Sequence, residues 1–349
     1  NLADENCIVH FYGYLFDLTA LSAQGANAIA GSRAKTVVTI GDHPFSTFMH
    51  GTVRYAHPKT TFIVADSTFQ DELTSCNPGL AGARFHHQPI QPPTNYDKTL
   101  VSDFKSRSFD LVIPMFITNM AGHGIKFILS QLSADWLVKT MVATYELSMS
   151  DVGRNPFHIF HECLQANVGL SFAQIRDGNP KIVPQLLTTV AAVDATVRQE
   201  RRQKMLNALL RDTGDLKVAV TCDAMPALAV DSRVTFLGAR RADDISRLMA
   251  DSRAVLNCNP SYPSSLHERV VSGMLYGSCV ISDVNRSMSE LFSPDVFVPY
   301  AVDSVMTIVD IYSYCGVEDV AAAGARKISN DASFSWDGHI DRLLHAAAA

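Results

Sequence analysis

The sequence has no CxxC pair, no long uninterrupted apolar run and no basic stretch interleaved with aromatics. Each absence excludes a class. Cysteines 7, 76, 163, 222, 258, 279 and 315 are scattered, so no zinc ribbon or paired-cysteine redox motif is written here. Several lie within strand-like or helix-like segments and read as buried free thiols of a reducing compartment. No apolar run is long enough to cross a membrane, and no secretory signal opens the chain, so the expected location is cytoplasmic. Lys and Arg number 29 against 35 Asp and Glu, giving a formal charge of −6. That balance speaks against a general nucleic-acid binder.

What is present is the composition of a globular chain. Its 349 residues are 47% hydrophobic and 18% charged, enough for two domains with their own cores. The chain opens on Asn1 rather than Met, and a segment missing before it is the expectation.

In chain order, strand and helix patterns alternate. The segments 7–12, 35–40, 60–65 and 84–88 read as strands, with small-residue or mixed helices at 18–30 and 45–55. Residues 89–108 are rich in Pro, Asp and Ser and read as a hinge. A second alternation starts at Phe109. After a helical territory at 125–211, strands are expected at 217–221, 233–237, 254–257, 279–281 and 296–300, with helices between and after them. Strand–helix alternation predicts parallel α/β sheets. Three or four strands in the first hundred residues are few for a complete doubly wound domain, so the first lobe is expected to be incomplete. The expected division is 1–105 and 106–349, with a helical insertion at about 125–211 in the second part.

The stretch 263–283 organises the rest. Ser264 and Ser265 are N-cap residue types, and Ser265 with Glu268 has capping-box spacing. Leu266, Val270 and Met274 share one helical face, Gly277 stops the helix, and Cys279–Ile281 reads as a buried strand ending near Asp283. His267, Glu268 and Arg269 fall in the first turn. Free N–H groups and the positive end of the helix dipole favour an anion there. Arg269 adds a forked donor suited to phosphate. The spacing also allows the plainer reading, in which serine and glutamate only cap each other.

The ordered series KVAVTCD at 217–223, RVTFLG at 233–238, AVLNCNP at 254–260, HERVVSGMLYG at 267–277, CVISD at 279–283 and SELF at 289–292 resembles the nucleotide-binding lobe of GT-B glycosyltransferases of the group 1 type, in the branch that includes spore-maturation-type proteins. The likeness is fullest over 216–300. Asp194 and Arg198 fit it, and GDHP at 41–44 and FIVADS at 62–67 extend it loosely to the first half. The resemblance implies two Rossmann-like lobes facing across a cleft. It implies a hexosyl-type glycosyltransferase that moves sugar from a nucleotide-diphosphate donor to an unknown acceptor, whether glycan, lipid or protein. Arg269 and the backbone of Ser264, Ser265 and Leu266 would meet the diphosphate, Glu268 the ribose hydroxyls. His267 and Asp283 would lie beside them, and Gly238 near the base. No metal or other cofactor is implied, because helix dipole and arginine would offset the leaving charge.

Two departures stand out. Where many group 1 members have a pair of glutamates, this chain has Ser264 and Ser272, and Cys222-Asp223 stands where a basic residue is usual. A GT-B-shaped sugar-nucleotide epimerase and a non-catalytic binding or assembly protein therefore stay open. Asp42 and His43 are candidates for the base near an acceptor hydroxyl; capping by Asp42 is the alternative. Asp66 or Ser67 is expected to cap a helix. His86 and His87 read as polar loop surface, Gly122 and Gly124 as a tight turn, and Lys126 as helix surface. His158, His161 and Glu162 read as helix surface rather than a metal site. Arg198, Arg201 and Arg202 read as a solvated face.

Overall fold

The computed structural model describes residues 8–12, 35–40, 60–89, 96–115, 124–151, 153–222, 234–259 and 263–348. Two parallel sheets organise them. The first has four strands in sequential order: β1 (Ile8–Tyr12), β2 (Lys35–Ile40), β3 (Thr61–Val64) and β4 (Arg84–His87). The segments KTVVTI and TFIV are β-branched or aromatic almost throughout. TFIV is buried throughout and KTVVTI over its last four residues, as strands covered on two faces should be.

The second sheet holds β5 (Phe109–Pro114), β6 (Val218–Thr221), β7 (Val234–Phe236), β8 (Ser252–Asn257), β9 (Cys279–Ser282) and β10 (Val298–Pro299). Its order is β10-β9-β8-β5-β6-β7, all parallel. Counted from β5, this is the doubly wound order of a dinucleotide-type fold, with its reversal between β5 and β8. The first part of the chain thus gives a shorter sheet and the second a full one, the two-lobed α/β arrangement expected from the sequence.

The helices are α1 (Thr68–Cys76), α2 (Ile125–Ser130), α3 (Asp135–Ser150), α4 (Pro156–Val168), α5 (Phe172–Gly178), α6 (Val183–Leu209), α7 (Ala242–Ala250), α8 (Glu268–Leu275), α9 (Arg286–Leu291), α10 (Ile308–Tyr314), α11 (Val317–Ser329) and α12 (Trp336–Ala348). Strand alternation sorts the packing. Val38, Ile40, Phe62 and Val64 point to one face of the first sheet, where Leu137, Met141, Phe157, Phe160, Val190 and Val197 of the inserted helices cover them. Val37 and Ile63 point the other way, against Leu343, Ala346 and Ala347 of α12. The packing does not follow the order of the chain. Helices from between β5 and β6, and the last helix of the chain, cover the first sheet.

The second sheet is covered likewise. Leu111, Val220, Leu256 and Ile281 pack with Met205, Leu206 and Leu209 of α6 and with α10 and α11. On the other face, Val280 packs with Val270, Val271 and Met274 of α8, and Val112 and Val255 pack with Met249 of α7. The α6 helix therefore enters both cores: Leu186 to Val197 in the first, Met205 to Leu209 in the second.

Arg107, at the entry to β5, fixes the far end of α8. It is 5% exposed and donates to the carbonyls of Ser252 (2.8 Å), Tyr276 (2.7 Å) and Gly277 (2.8 Å). A cation at a helix carboxyl end meets carbonyls that have no intrahelical partner.

Candidate functional site at the strand reversal

A doubly wound sheet opens a crevice where its strand order reverses, outside the carboxyl ends of the strands. Here that point lies between β5 and β8, and a cavity of about 100 Å³ lies beside it, in the groove between α7 and α8. Pro114 at the end of β5, Ser246 of α7, and Glu268, Arg269 and Ser272 of α8 line it, with Tyr96 and Tyr276 closing it from the hinge side. Tyr96 packs at 5.2 Å from Tyr276, whose buried hydroxyl accepts from the Asp97 amide at 3.2 Å.

The start of α8 differs from the expected cap. His267, not Ser265, is the N-cap: its Nδ1 accepts from the Arg269 amide at 3.1 Å. That bond requires an unprotonated Nδ1. Burial, together with the charges of Arg269, Arg202 and Arg198, holds the imidazole well below its ordinary range and keeps it neutral.

The serines lie elsewhere for a physical reason. The Ser264 amide donates to Asp66 Oδ2 at 2.7 Å, the Ser67 amide donates to Ser264 Oγ at 2.9 Å, and the Leu266 amide donates to the Pro89 carbonyl at 2.8 Å. His87 Nε2 faces two carbonyls, Ser264 O at 2.9 Å and Ala65 O at 3.2 Å, so it carries the proton. The Ser265 carbonyl accepts from Asn285 at 2.6 Å. Two of the three backbone amides expected to meet an anion, those of Ser264 and Leu266, therefore already have partners. The amides of Ser264 and Leu266 are already bonded to the carboxyl end of the first sheet, and Ser264 and Ser265 are each 5% exposed.

Asp66 is fully buried, and its Oδ1 also accepts from the Thr68 amide (2.9 Å) and hydroxyl (2.6 Å). The expected cap is there, and the same carboxylate reaches the second lobe. His87 likewise has an interlobe partner rather than serving only as loop polarity.

A buried polar network runs from α8 to the end of β9. Arg269 Nη1 donates to Asn257 Oδ1 at 3.2 Å, and Asn257 Nδ2 donates to Asn259 Oδ1 at 3.0 Å and to Ser282 Oγ at 2.9 Å. The Asn259 amide donates to Asp283 Oδ1 at 2.6 Å. Arg201 Nη2 stands 3.7 Å from Asp283 Oδ2. Burial raises Asp283 to about 6, against the opposing pull of the Asn259 amide and Arg201. Arg269 is pushed down to about 10, first by burial and then by Arg202. Cys258, raised to about 12 by burial and Asp283, feels Arg202, Arg201 and Arg269 together. The α6 arginines are therefore not a solvated face. Arg201 is 2% exposed, and Arg198 pairs with buried Asp194 at 2.7 Å.

Of the sequence candidates, Glu268 and Arg269 meet at the cavity, His267 and Asp283 join the adjacent arginine network, and Ser264 and Ser265 lie in the interlobe seam. Gly238 turns the chain out of β7 with a φ of +69°, a left-handed conformation suited to glycine, and does not line the cavity. Asp42 and His43, like Gly122 and Asp223, lie outside the described residues. Lys126 is on the surface, and Glu162 pairs with Arg154. His161 departs from the surface reading. It stacks on Phe172 at 5.0 Å, and burial takes it down to about 4. Among the described residues no group of three or more His, Cys, Asp or Glu could hold a metal, and no helix is long and apolar enough to cross a membrane.

Sequence reasoning passed over Tyr96, Ser246 and Tyr276 and took Arg201 for solvated surface. Only Arg201 left a signal: 194, 198, 201 and 202 share a helical face, with an acid at its start.

The fold is a two-lobed α/β arrangement of the GT-B type, with the candidate site beside the strand reversal of the second lobe. Residues 198–344 match a family model described as glycosyl transferase-like. TarM shares the fold, with a TM-score of 0.50 at 8% identity over 99% of this chain and 56% of that one. Sucrose-phosphate synthase of Thermosynechococcus elongatus is 11% identical over 97% of this chain and 74% of its own, with a TM-score of 0.44. Anabaena HepE, solved with UDP and glucose, is 13% identical over 97% and 78%, with a TM-score of 0.47. No curated protein sequence matches the chain.

Proposed function

We propose that the protein is a metal-independent glycosyltransferase of the hexosyl type, moving a sugar from a nucleotide-diphosphate donor to an acceptor hydroxyl on a glycan, lipid or protein. One observation carries this reading: Arg269, in the first turn of α8, lines the cavity beside the strand reversal. A helix amino end and a guanidinium there are suited to offset the charge that develops on a departing diphosphate, so the reading calls for no metal. Glu268, also at the cavity, is placed to accept from ribose hydroxyls. On the acceptor side the base is His43 or Asp42, which follow β2 in the chain.

Calorimetric titration with UDP, GDP and TDP and their sugars tests the donor half. Binding by at least one is expected, with Arg269→Ala weakening it about tenfold or more, roughly the loss of one charged hydrogen bond. Unchanged affinity in Arg269→Ala would remove this residue from the site. Nucleotide released only with an acceptor marks transfer, whereas an epimerised donor marks an isomerase.

A binding module without turnover is the second reading. It is favoured by Ser272, which lines the cavity where an acid is usual, and by the engagement of Ser264 in the seam. It predicts no turnover of any donor.

A further inference from the structure

We propose that Tyr96 is a lid on the cavity between α7 and α8: its ring shuts the mouth in this structure, and a ligand enters once the ring turns off Tyr276. That a ligand enters this cavity rests on the transferase reading; the gating rests on size and geometry alone.

The cavity has a volume of about 100 Å³. That holds about three waters, each with a liquid volume of roughly 30 Å³. Pockets that take small-molecule ligands run from about 300 to 1,000 Å³. A ligand of that class therefore needs one wall to give way.

Most of the walls are fixed. Pro114 ends β5, which lies inside the second sheet between β8 and β6. Met249 of α7 is buried with Val112 and Val255. Arg269 is tied to Asn257, and Ser246 and Ser272 are both buried. Tyr276 is fully buried, and its carbonyl accepts from Arg107 at 2.7 Å. Moving any of these disturbs a close-packed interior.

Tyr96 is the exception. It lies in the connection between the two sheets, in neither strand nor helix, and is 39% exposed. Its ring meets that of Tyr276 with centroids 5.2 Å apart and planes at 55°. A single tilted pair of this kind is a weak contact. Exposed side chains change rotamer on the fastest side-chain timescale, so the ring can turn away without backbone movement.

The backbone beneath the ring is held, which makes the motion a swing rather than a local unfolding. The Asp97 amide donates to the Tyr276 hydroxyl at 3.2 Å. Asp97 Oδ1 accepts from the Thr99 amide at 2.9 Å and from the Thr99 hydroxyl at 2.7 Å. Leu100 packs against the cluster that holds Met249 and Tyr276, and Ser102 Oγ donates to the Ala250 carbonyl at 3.2 Å. The lid is thus mounted on α7 and α8 together, the two helices whose groove it covers.

The probe is iodoacetamide acting on Ser272→Cys, which puts a thiol on the cavity wall; peptide mass spectrometry follows its alkylation. The reagent reaches that thiol only while the lid is open, so the rate reports the open fraction. Adding Tyr96→Ala should raise the rate about tenfold or more. Tyr96→Phe, which keeps the ring, should leave it unchanged. Native Cys258, 1% exposed, reports the fold and should react equally in all three. If it reacts faster in Tyr96→Ala, Tyr96→Leu takes that variant's place. If Ser272→Cys does not fold, Ser246→Cys repeats the measurement from the opposite wall. Equal rates with and without the ring, or no alkylation in either, overturn the proposal. The two readings fail separately. A ring-dependent rate that UDP, GDP and TDP sugars leave unchanged keeps the lid and sinks the donor reading. Slowing by a nucleotide sugar, with no effect of Tyr96, does the reverse.

Discussion

The Ser264 amide donates to Asp66 Oδ2 at 2.7 Å, although 198 residues separate the two. This bond ties the carboxyl end of β3 to the loop that feeds α8. The other oxygen of the same carboxylate holds the first turn of α1 through Thr68. One fully buried side chain thus serves three donors and both lobes. Asp66→Ala leaves those donors unmet, and a loss of about 3 kcal/mol is expected. Asp66→Asn, which keeps an acceptor, should lose roughly 1 kcal/mol. Urea unfolding monitored by circular dichroism checks both; an Ala variant as stable as the wild type would show the bond to be immaterial.

Arg107 makes a second prediction. Its guanidinium serves three backbone carbonyls at 2.8 Å or less, two of them at the end of α8. Lysine carries the charge but cannot reach three carbonyls from one nitrogen in that geometry. Arg107→Lys should therefore cost about 2 kcal/mol and Arg107→Ala more, read as shifts in the denaturant midpoint. Equal stability of Arg and Lys would mean that only charge matters there.

Gly273 is where α8 presses closest on the sheet. A Cβ there would stand 2.9 Å from Val280 Cγ2 and 3.6 Å from Val255 Cβ. Alanine gains up to about 1 kcal/mol of helix propensity, whereas forced repacking costs about 1–3 kcal/mol. Overpacking should win, so Gly273→Ala is expected to lower the melting temperature. An increase would show that the valine yields freely.

Asp283 gives a pH prediction. Its folded-state value near 6 lies above the ordinary aspartate value of 3.8, so the folded protein binds this proton more readily than the unfolded chain. The stability it contributes is present below about pH 4 and is lost as pH rises through about 6. Asp283→Asn removes that term. Relative to the wild type, the variant should be more stable at about pH 7.5 than at about pH 5, as measured by urea midpoints at both. A pH-independent difference between the two proteins would refute the assignment.

The strands of the second lobe were legible because a parallel strand covered on two faces must be apolar along its length, as in VAVT, RAVLN and CVIS. The two-lobed class followed from their order. The start of α8 was less legible. Ser265 and Glu268 have capping-box spacing, but contacts from Asp66 and Pro89 draw the serine loop onto the first lobe and leave the cap to His267. No local pattern encodes a contact that distant. The same limit explains α6. Arg198, Arg201 and Arg202 read as a polar face until the helix is seen to pass from one core to the other, which buries the turn between. The inserted helices were assigned to the second lobe because β5 and β6 flank them in the chain, yet their apolar faces complete the first. The α1 segment was expected only from its cap at Asp66 or Ser67, because only Phe69 and Leu73 give its nine residues an apolar face.

The reach of α6 has a mechanical consequence. Its 27 residues extend for about 40 Å, a rigid beam mortised at one end into each lobe. Parting the lobes widely would require snapping that beam or prising one end from its socket. Motion between the halves is therefore confined to a small rocking about the beam, and heat should melt the whole assembly in one step rather than lobe by lobe.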